Sequence, residues 1–420
     1  MLRPLAAGVV LVTLATPAAA APPAVCVNPG GTGGCFASIQ SAVDAAARGA
    51  VIQIAAGTYV ENVVIPAAAK LTLSGEGATA TIVDGNGSGR VFEIGGGLNT
   101  NVTIKQLGIR NGSRGIDLGE RVRLTLESCA VTGNVGEGGI RMQPRTNVTI
   151  IGCTISDNHN LTENGGGVSF PDYIDGKARL KIVGSTISGN SALNGGGVNS
   201  WGDVKIIDST ISDNTASGSG GGVWANGLTM TGSTVSGNLA ASNGGGLTGS
   251  TFNFRHRFMR VANSTISGNS AGNRGGGVAI VEGMRFEHVT IAGNTAGDTG
   301  GGIGRATFQK STILKGSIVA DNVATNGGAD CWSVDVNAFN GNLIEESLGC
   351  PATLRGGGAI LTADPLLGPL QDNGGPTATQ ALAPGSPAIG ALTTGALCRQ
   401  KDQRGVARTV PCDLGSYEAP

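Results

Sequence analysis

One short phrase recurs along this chain: Thr-Ile-Ser-Gly-Asn followed, after a few small residues, by Gly-Gly-Gly and an aliphatic residue. The steps between copies are near ~24 residues, with two longer steps, and a period of this size indicates a solenoid in which each repeat forms one coil. The copies, close and loose, begin at Cys129, Cys153, Ser185, Ser209, Ser233, Ser264, Val289 and Ser317.

Apolar residues alternate with polar ones inside each repeat, as at Val204 and Ile206 before Ser209 and at Ile211 after it. Alternation at period two predicts strands, and no apolar run is long enough for a helix. The alternation changes phase at the repeat start, so we expect a bend there, and Gly-Gly-Gly-Val adds a third strand. The sequence therefore predicts an all-β parallel β-helix with three short strands in each coil of about 24 residues.

An asparagine lies five residues after each repeat start. Stacked amides can donate to one neighbour and accept from the other, and Asn tolerates the left-handed backbone of a sharp bend. We expect a structural ladder with no catalytic role, formed by Asn134, Asn158, Asn190, Asn214, Asn238, Asn269, Asn294 and Asn322.

The charge balance and the start of the chain bear on its location. The formal net charge is −1, which gives no electrostatic case for nucleic acid or an anionic membrane as partner. Residues 1–20 have the pattern of a secretory signal: Arg3, a short apolar run, and Ala18-Ala19-Ala20 before the cleavage point. No apolar run is long enough to span a bilayer. We expect an exported protein, extracellular or at the cell surface, with the periplasm as an alternative.

Residues 21–50 are predicted to form an N-terminal cap. Ile39, Ala42, Val43 and Ala46 form a helical stripe that stops at Gly49, and a short amphipathic helix can cover the open end of the first coil. We expect the coils themselves to occupy residues 51–350.

Three segments carry a family resemblance. Residues 36–43 (Phe-Ala-Ser-Ile-Gln-Ser-Ala-Val), residues 57–62 (Gly-Thr-Tyr-Val-Glu-Asn) and the Thr-Ile-Ser-Gly-Asn blocks resemble bacterial right-handed parallel β-helix proteins of the pectin-lyase-like superfamily. The likeness covers residues ~35 to 350 and implies the right-handed, single-stranded form of the β-helix. It implies little about activity, because that fold hosts lyases, hydrolases, esterases, epimerases, adhesins and inert surface proteins.

The composition changes in residues 351–420, where the repeat disappears and proline becomes frequent. The segments 363–377 and 412–418 resemble the choice-of-anchor Q domain that ends many secreted β-helix proteins. We expect this tail to form an irregular C-terminal cap that closes the last coil.

Eight cysteines in an exported chain favour disulfides over metal. Local spacing pairs Cys26 with Cys35, Cys331 with Cys350, and Cys398 with Cys412. Cys129 and Cys153 occupy the same repeat position one coil apart, where either a disulfide or two stacked buried thiols would fit.

Motifs of known chemistry are missing from the sequence. Polygalacturonase-like cleavage needs paired acidic residues and a Gly-His-Gly segment, and the sequence has no Asp-Asp pair and no Gly-His-Gly. The calcium-binding Gly-Gly-x-Gly-x-Asp repeat is also absent. His288 precedes a repeat start and is interpreted as a packed or solvated strand residue rather than a base. No catalytic residue, metal ligand or cofactor is predicted.

One candidate binding site remains, because the two long steps carry their extra residues after the Gly-Gly-Gly strand. Both insertions therefore leave the same edge of the solenoid, with two tryptophans in the coils between them, and aromatic faces between polar loops are typical of a sugar-binding cleft. The alternative is that these aromatics only pack the loops down. The candidate glycan ligands are Asp172, Tyr173, Asp175, Trp201, Trp224, Arg255, His256 and Arg257.

The sequence thus predicts an exported β-helix protein with a structural, adhesive or glycan-binding role and a polysaccharide or cell-envelope glycan as partner. The rival is a polysaccharide lyase or glycoside hydrolase that uses the same loop-flanked edge. Titratable residues converging in that cleft would favour the enzyme. Nothing in the sequence indicates an oligomeric state.

Overall fold

A computed structural model describes residues 24–171, 177–249, 259–281, 283–306, 312–339, 341–355, 360–395 and 397–420. The chain winds into a right-handed parallel β-helix of about 12 turns whose interior is filled by the alternating aliphatic side chains. The all-β fold, its handedness and its single-stranded coils are confirmed. The signal sequence predicted for residues 1–20 lies outside the described residues. In the described part of the chain, no helix has the length and apolar character needed to cross a membrane.

Each coil contributes strands to three faces, which we call the first, second and third strands. The first strands are Ala50–Ile54, Lys70–Ser74, Asn101–Lys105, Arg123–Glu127, Asn147–Ile151, Arg179–Val183, Thr312–Lys315, Val336–Phe339 and Ala352–Arg355. The second strands are Gly57–Val60, Thr81–Asp84, Gly108–Arg110, Ala130–Thr132, Thr154–Ser156, Thr186–Ser188, Thr210–Ser212, Thr234–Ser236, Ile318–Ala320, Asn342–Ile344 and Ile360–Leu361. The third strands are Val63–Ile65, Arg90–Ile94, Arg114–Leu118, Gly138–Arg141, Val168–Phe170, Leu247–Gly249, Val278–Ile280, Ile303–Arg305 and Cys331–Trp332.

Some strands run through a corner without a break. Val198–Ile207 and Val223–Thr231 join a third strand to the next first strand, whereas Met259–Ser267 and Met284–Ala292 join a first strand to a second strand. Strand Ala24–Val27 pairs with the first coil, and Leu367–Gln371 pairs antiparallel with Thr379–Leu382 in the tail.

The structure adds a fourth, two-residue strand that the sequence pattern did not show. It follows the ladder asparagine and pairs with its counterparts in neighbouring coils. Two residues are too few for an alternation to be visible in the sequence. These short strands are Val135–Gly136, His159–Asn160, Ser191–Ala192, Thr215–Ala216, Leu239–Ala240, Ser270–Ala271, Thr295–Ala296 and Val323–Ala324.

The N-terminal helix spans Ile39–Ala45 and buries Ile39, Ala42 and Val43. The Ser38 hydroxyl accepts a hydrogen bond from the backbone N–H of Ser41, as an N-cap does. The Glu61 carboxylate, from the first coil, accepts from the N–H groups of Ile39 at 2.8 Å and Gln40 at 3.0 Å. A carboxylate from the first coil therefore satisfies the free donors of the helix start and ties the helix to the solenoid.

The ladder asparagines are buried and stacked along the axis of the solenoid. The Asn214 Oδ1 accepts from the backbone N–H and the Nδ2 of Asn190, at 3.0 Å and 2.9 Å. The Asn214 Nδ2 donates to Asn238 Oδ1 and to the Ile187 carbonyl, both at 2.9 Å. Every polar atom of the amide is therefore used, and the same pattern links each ladder member to the next.

The ladder ends on a carboxylate. The Nδ2 of Asn322 donates to Asp330 Oδ1 at 2.9 Å, and the backbone N–H of Glu346 donates to Asp330 Oδ2 at 2.8 Å. Asp330 is 1 % exposed, and burial raises the pKa of its carboxyl to about 6. A protonatable group therefore terminates the line of amides.

The C-terminal tail lies along the flank of the solenoid, which differs from the expected cap over the last coil. The tail reaches back to the coil of Thr234, whose Oγ1 donates to the Ala378 carbonyl at 2.6 Å. At the other end Leu354, in the inward column of the last coil, stays 54 % exposed. The tail takes this position because Ile318 and Leu343, which point outward from second strands near the C-terminal end of the solenoid, need apolar cover. The tail supplies it with Leu382, Ala388, Leu392 and Leu414.

The three predicted disulfides, Cys26–Cys35, Cys331–Cys350 and Cys398–Cys412, are present. Cys129 and Cys153 are free and buried, so they form two stacked thiols rather than a disulfide. The backbone N–H of Cys129 donates to the Cys153 sulfur at 3.3 Å, and the Cys129 thiol donates to the Ile104 carbonyl at 3.3 Å. The hydrogen bond with Cys153, together with burial, raises the pKa of the Cys129 thiol, so this thiol is a packing group rather than a nucleophile.

We expect Asn214→Ala to lower the free energy of unfolding by about 1–3 kcal/mol, because it removes four buried hydrogen bonds: two that Asn190 donates to the Asn214 side chain, and two that this side chain donates to Asn238 and Ile187. Chemical denaturation followed by circular dichroism measures this change. The control is Asn101→Ala on an exposed strand position, which should be close to neutral. Equal losses in the two variants would contradict the energetic role of the ladder.

The carboxylate at the ladder end gives a second prediction. The folded-state pKa of Asp330 is above the ordinary unfolded value, so its contribution to stability is full below pH ~4 and is lost as pH rises through about 6. We therefore expect wild type to gain stability relative to Asp330→Asn on going from pH 7.5 to pH 4.5, by on the order of 2 kcal/mol. Denaturation of both proteins at the two pH values measures this, and a difference that does not change with pH would contradict it.

Candidate functional site

The outer face of the first strands carries the most distinctive charge pattern in the middle of the solenoid. Leu180 and Val204 of these strands point into the core, so Arg179, Lys181 and Lys205 point outward. Because the strands are parallel and in register, outward side chains at equivalent positions form columns along the solenoid axis, one rung per coil.

This face holds a groove with a volume of about 690 Å³ that crosses five successive first strands. Strand backbones and their outward side chains form its floor, so the groove is a product of the regular sheet rather than of a single loop. Its lining residues are Asn147, Val148, Thr149, Arg179, Leu180, Lys181, Asp203, Val204, Lys205, Gly227, Leu228, Thr229 and Arg260.

The groove lining carries four cationic side chains and one carboxylate, Asp203. Lys181 and Lys205 are direct partners on neighbouring strands, and Arg260 and Arg285 are partners two rungs further along the same column. Like charges directly opposite each other destabilise a sheet, at about 4.8 Å between strands. A bound polyanion would relieve this repulsion, so the face is suited to an extended anionic ligand.

The two predicted aromatic ligands form a pair at the corner that borders this face. The rings of Trp201 and Trp224 meet edge to face, with centroids 4.7 Å apart and planes at 64°. Both side chains are half-buried, and Trp201 also packs against the core. Trp201 lies two residues before Asp203 in one continuous strand, which places the pair beside the groove and outside its lining.

The insertion points surround the tryptophan pair. Phe170, Ser200, Ala225 and Gly249 occupy one column on four successive rungs, and the insertions follow the first and the last of them. Both therefore leave the same corner, about 14 Å apart, as three rung spacings require. The loop residues themselves, Asp172, Tyr173, Asp175, Arg255, His256 and Arg257, lie outside the described residues, so their role as ligands stays a prediction.

His288 is fully buried and bound to the tail. Its Nε2 donates to the Leu397 carbonyl at 2.8 Å, and its backbone has a left-handed φ of 53°. Burial, with a smaller effect of the nearby Arg408, lowers the pKa of His288 to about 3, so the ring is neutral at ordinary pH. The residue before each repeat start is otherwise glycine, as at Gly184, Gly232 and Gly316, or Ser, Asp or Asn, and the histidine was the available signal for a contact with the tail.

A second charged cluster lies on the third strands of the N-terminal half. Arg114 is buried, and its Nη1 lies 2.9 Å from carboxylate oxygens of both Asp117 and Glu137. Arg90 pairs with Asp117 at 2.8 Å. Burial lowers the pKa of Arg114, yet its two carboxylate partners keep the guanidinium charged. The charges neutralise one another, so this cluster is structural.

Three carboxylates of the described residues come together in a way that could hold a cation. Oxygen atoms of Asp321, Glu345 and Asp364 lie within 4.8 Å of one another. Glu345 already accepts from the backbone N–H of Asp321 at 3.0 Å, and partial burial with the two neighbouring carboxylates raises the pKa of Asp321. Exposed acidic groups of this kind are common without an ion, and we assign no metal to them.

Comparison with known proteins agrees with this architecture. Residues 94–258 match the family model described as a right-handed β-helix region. Pectate lyase Pel9A is similar in structure, with a TM-score of 0.52 at 13 % identity over 94 % of this chain and 96 % of that one. Pectin methylesterase from Aspergillus niger has a TM-score of 0.35 at 13 % identity, over 82 % of this chain and 93 % of that one. No curated protein matches the sequence.

At these identities the first likeness shows the fold alone, and the second is too weak to carry an argument. The chain has a right-handed parallel β-helix fold, which pectate lyase Pel9A shares. Its function has to be argued from the groove and its border.

Proposed function

We propose that this protein binds an acidic polysaccharide, outside the cell, along the groove of the first-strand face. The observation that carries the proposal is the in-register column of Lys181, Lys205, Arg260 and Arg285, interrupted only by Thr229. A repeating column of cations on a flat strand floor fits a ligand that repeats its own negative charge in one direction.

The geometry favours a polymer over a small molecule. The column from Lys181 to Arg285 spans five rungs, or about 19 Å, and the groove follows it from Lys181 to Arg260. At its border the edge-to-face Trp201–Trp224 pair offers a half-buried aromatic surface of the kind that sugar rings contact. The insertions after Phe170 and Gly249 begin beside this pair.

Export and surface location belong to the same proposal. The signal pattern in residues 1–20 supports passage across a membrane, and three disulfides are consistent with an oxidising compartment. The resemblance of residues 351–420 to a choice-of-anchor Q domain supports a place at the cell surface, with an adhesive or structural role for the bound chain.

Cleavage of the bound polymer is the rival function. Acid–base cleavage needs a proton donor and a base on either side of the scissile bond. Among the described lining residues, Asp203 is the carboxylate that would have to take one of these roles, and the other titratable side chains are cations. Incubation of the protein with polygalacturonate should therefore be scored for cleavage as well as for retention.

We expect Lys181→Gln with Lys205→Gln to weaken retention on immobilised polygalacturonate by at least tenfold, because two adjacent cations are removed from the groove floor. Retention by wild type should fall as salt is raised, since the contacts are ionic and exposed. Affinity chromatography at stepped salt concentration measures both effects, with neutral dextran as the blank matrix.

The matched control is Arg48→Gln with Lys70→Gln, which removes the same charge from exposed positions near the N-terminal end. Unchanged retention in the control together with loss in the groove variant supports the proposal. Equal losses would show that net charge alone drives binding, and the groove would then have no specific role.

The aromatic border gives a separate expectation. Trp201→Ala with Trp224→Ala should reduce retention of polygalacturonate severalfold, and it should lower stability by roughly 1 kcal/mol or more, because the ring pair and the packing of Trp201 are lost. Trp332→Ala, on a third strand near the C-terminal end, serves as control. If the double variant is folded and retained like wild type, the aromatic pair is packing only.

A further inference from the structure

A second pocket lies where the tail meets the solenoid, and the groove does not include it. It has a volume of about 460 Å³ and is open to solvent. The solenoid supplies one wall and a short stretch of tail supplies the other. The lining residues are Asn263, Glu287, Lys315, Cys398, Arg399, Gln400 and Lys401.

The pocket has an excess of positive charge. Glu287 is the carboxylate of the lining, and it accepts from Lys315 Nζ at 3.0 Å and Arg399 Nη1 at 3.2 Å. Arg285 approaches the same carboxylate from behind, at 3.7 Å. These cations hold the pKa of Glu287 below its ordinary value although burial opposes this. With Lys401 also in the lining, one carboxylate faces more positive charge than it can neutralise.

The arrangement is fixed by contacts that are unusual in the repeat. Asn263 and His288 both take the left-handed position before a repeat start, with φ values of 41° and 53°. Asn263 Nδ2 donates to the Lys401 carbonyl at 2.7 Å, and His288 Nε2 donates to the Leu397 carbonyl. The Cys398–Cys412 disulfide holds the same stretch of tail. The two walls are therefore held together on both sides of Arg399.

We propose that this junction pocket is an anion-binding site for a carboxylate or sulfate group, either as a free ion or as part of an acidic oligosaccharide. Lys315, Arg399 and Lys401 would contact the anion, and Glu287 would orient the first two of these cations. The site goes beyond the function proposed for the groove and does not depend on it, because the residues that would contact the anion, Lys315, Arg399 and Lys401, are not members of the groove column. Arg285 of that column reaches only the back of Glu287.

Lysine acetylation followed by mass spectrometry tests the site in the full-length protein. The probes are sodium sulfate and a galacturonate trisaccharide, each against sodium chloride of equal ionic strength. We expect either probe to slow acetylation of Lys315 and Lys401 severalfold, with no change at Lys70 near the N-terminal end. Protection by sulfate alone identifies a free-ion site, and protection by the trisaccharide identifies a sugar-acid site. Unchanged rates at Lys315 and Lys401 with both probes would overturn the proposal.

Two variants separate specific contact from general charge. Arg399→Gln with Lys401→Gln should abolish protection of Lys315, whereas Arg48→Gln with Lys70→Gln should leave it intact. Persistent protection of Lys315 in the first variant would also overturn the proposal, provided that its circular dichroism matches wild type. Lys181 and Lys205, read in the same spectra with polygalacturonate, report on the groove independently, so failure at one site is distinguishable from failure at the other.

Discussion

The hydrogen bonds of the asparagine ladder set the geometry on which the rest of the molecule depends. Each amide accepts from the coil before it and donates to the coil after it, so neighbouring coils cannot slip without leaving several buried polar atoms unpaired. The ladder therefore fixes the register of all the strands. Because the strands are in register, residues 24 to 32 positions apart in the sequence, such as Thr149, Lys181 and Lys205, form one column on the surface.

The position before each repeat start is a second constraint, because every coil needs a left-handed residue there. Glycine meets that need without strain, as at Gly184 and Gly232. A histidine in the left-handed region is uncommon and requires compensation, which His288 receives from the Leu397 carbonyl and from its burial under the tail. Asn263 is accommodated in the same way one coil earlier. Four coils depart from the glycine pattern, at Ser128, Asp208, Asn263 and His288. In two of them, those of Asn263 and His288, the side chain is bound to the tail.

Much of the fold could be predicted from the sequence because it is encoded by repetition. The inward columns, the ladder, the helix and the three disulfides follow from fixed offsets or local spacing. The flank position of the tail could not be predicted, since it depends on contacts such as Thr234 with Ala378, more than a hundred residues apart and without any repeated signal. The groove was missed for another reason: its column, four residues before each repeat start, varies among Thr, Lys, Arg and Ile and forms no motif. The predicted aromatic pair was visible because tryptophan is rare in this chain.

The near-zero net charge of the chain conceals how its charges are placed. A net charge of −1 argues against a partner only if the charges are spread evenly, and here cations collect on the first-strand face while aspartates such as Asp157 and Asp213 occupy turns at the second-strand edge. The field that an approaching chain meets is the local one, within a Debye length of about 8–10 Å. A repeat protein is well suited to such placement, because one outward position per coil can change to lysine without affecting the core. Binding a polyanion on this face therefore requires no change in fold, only the substitution of a few outward threonines by basic residues.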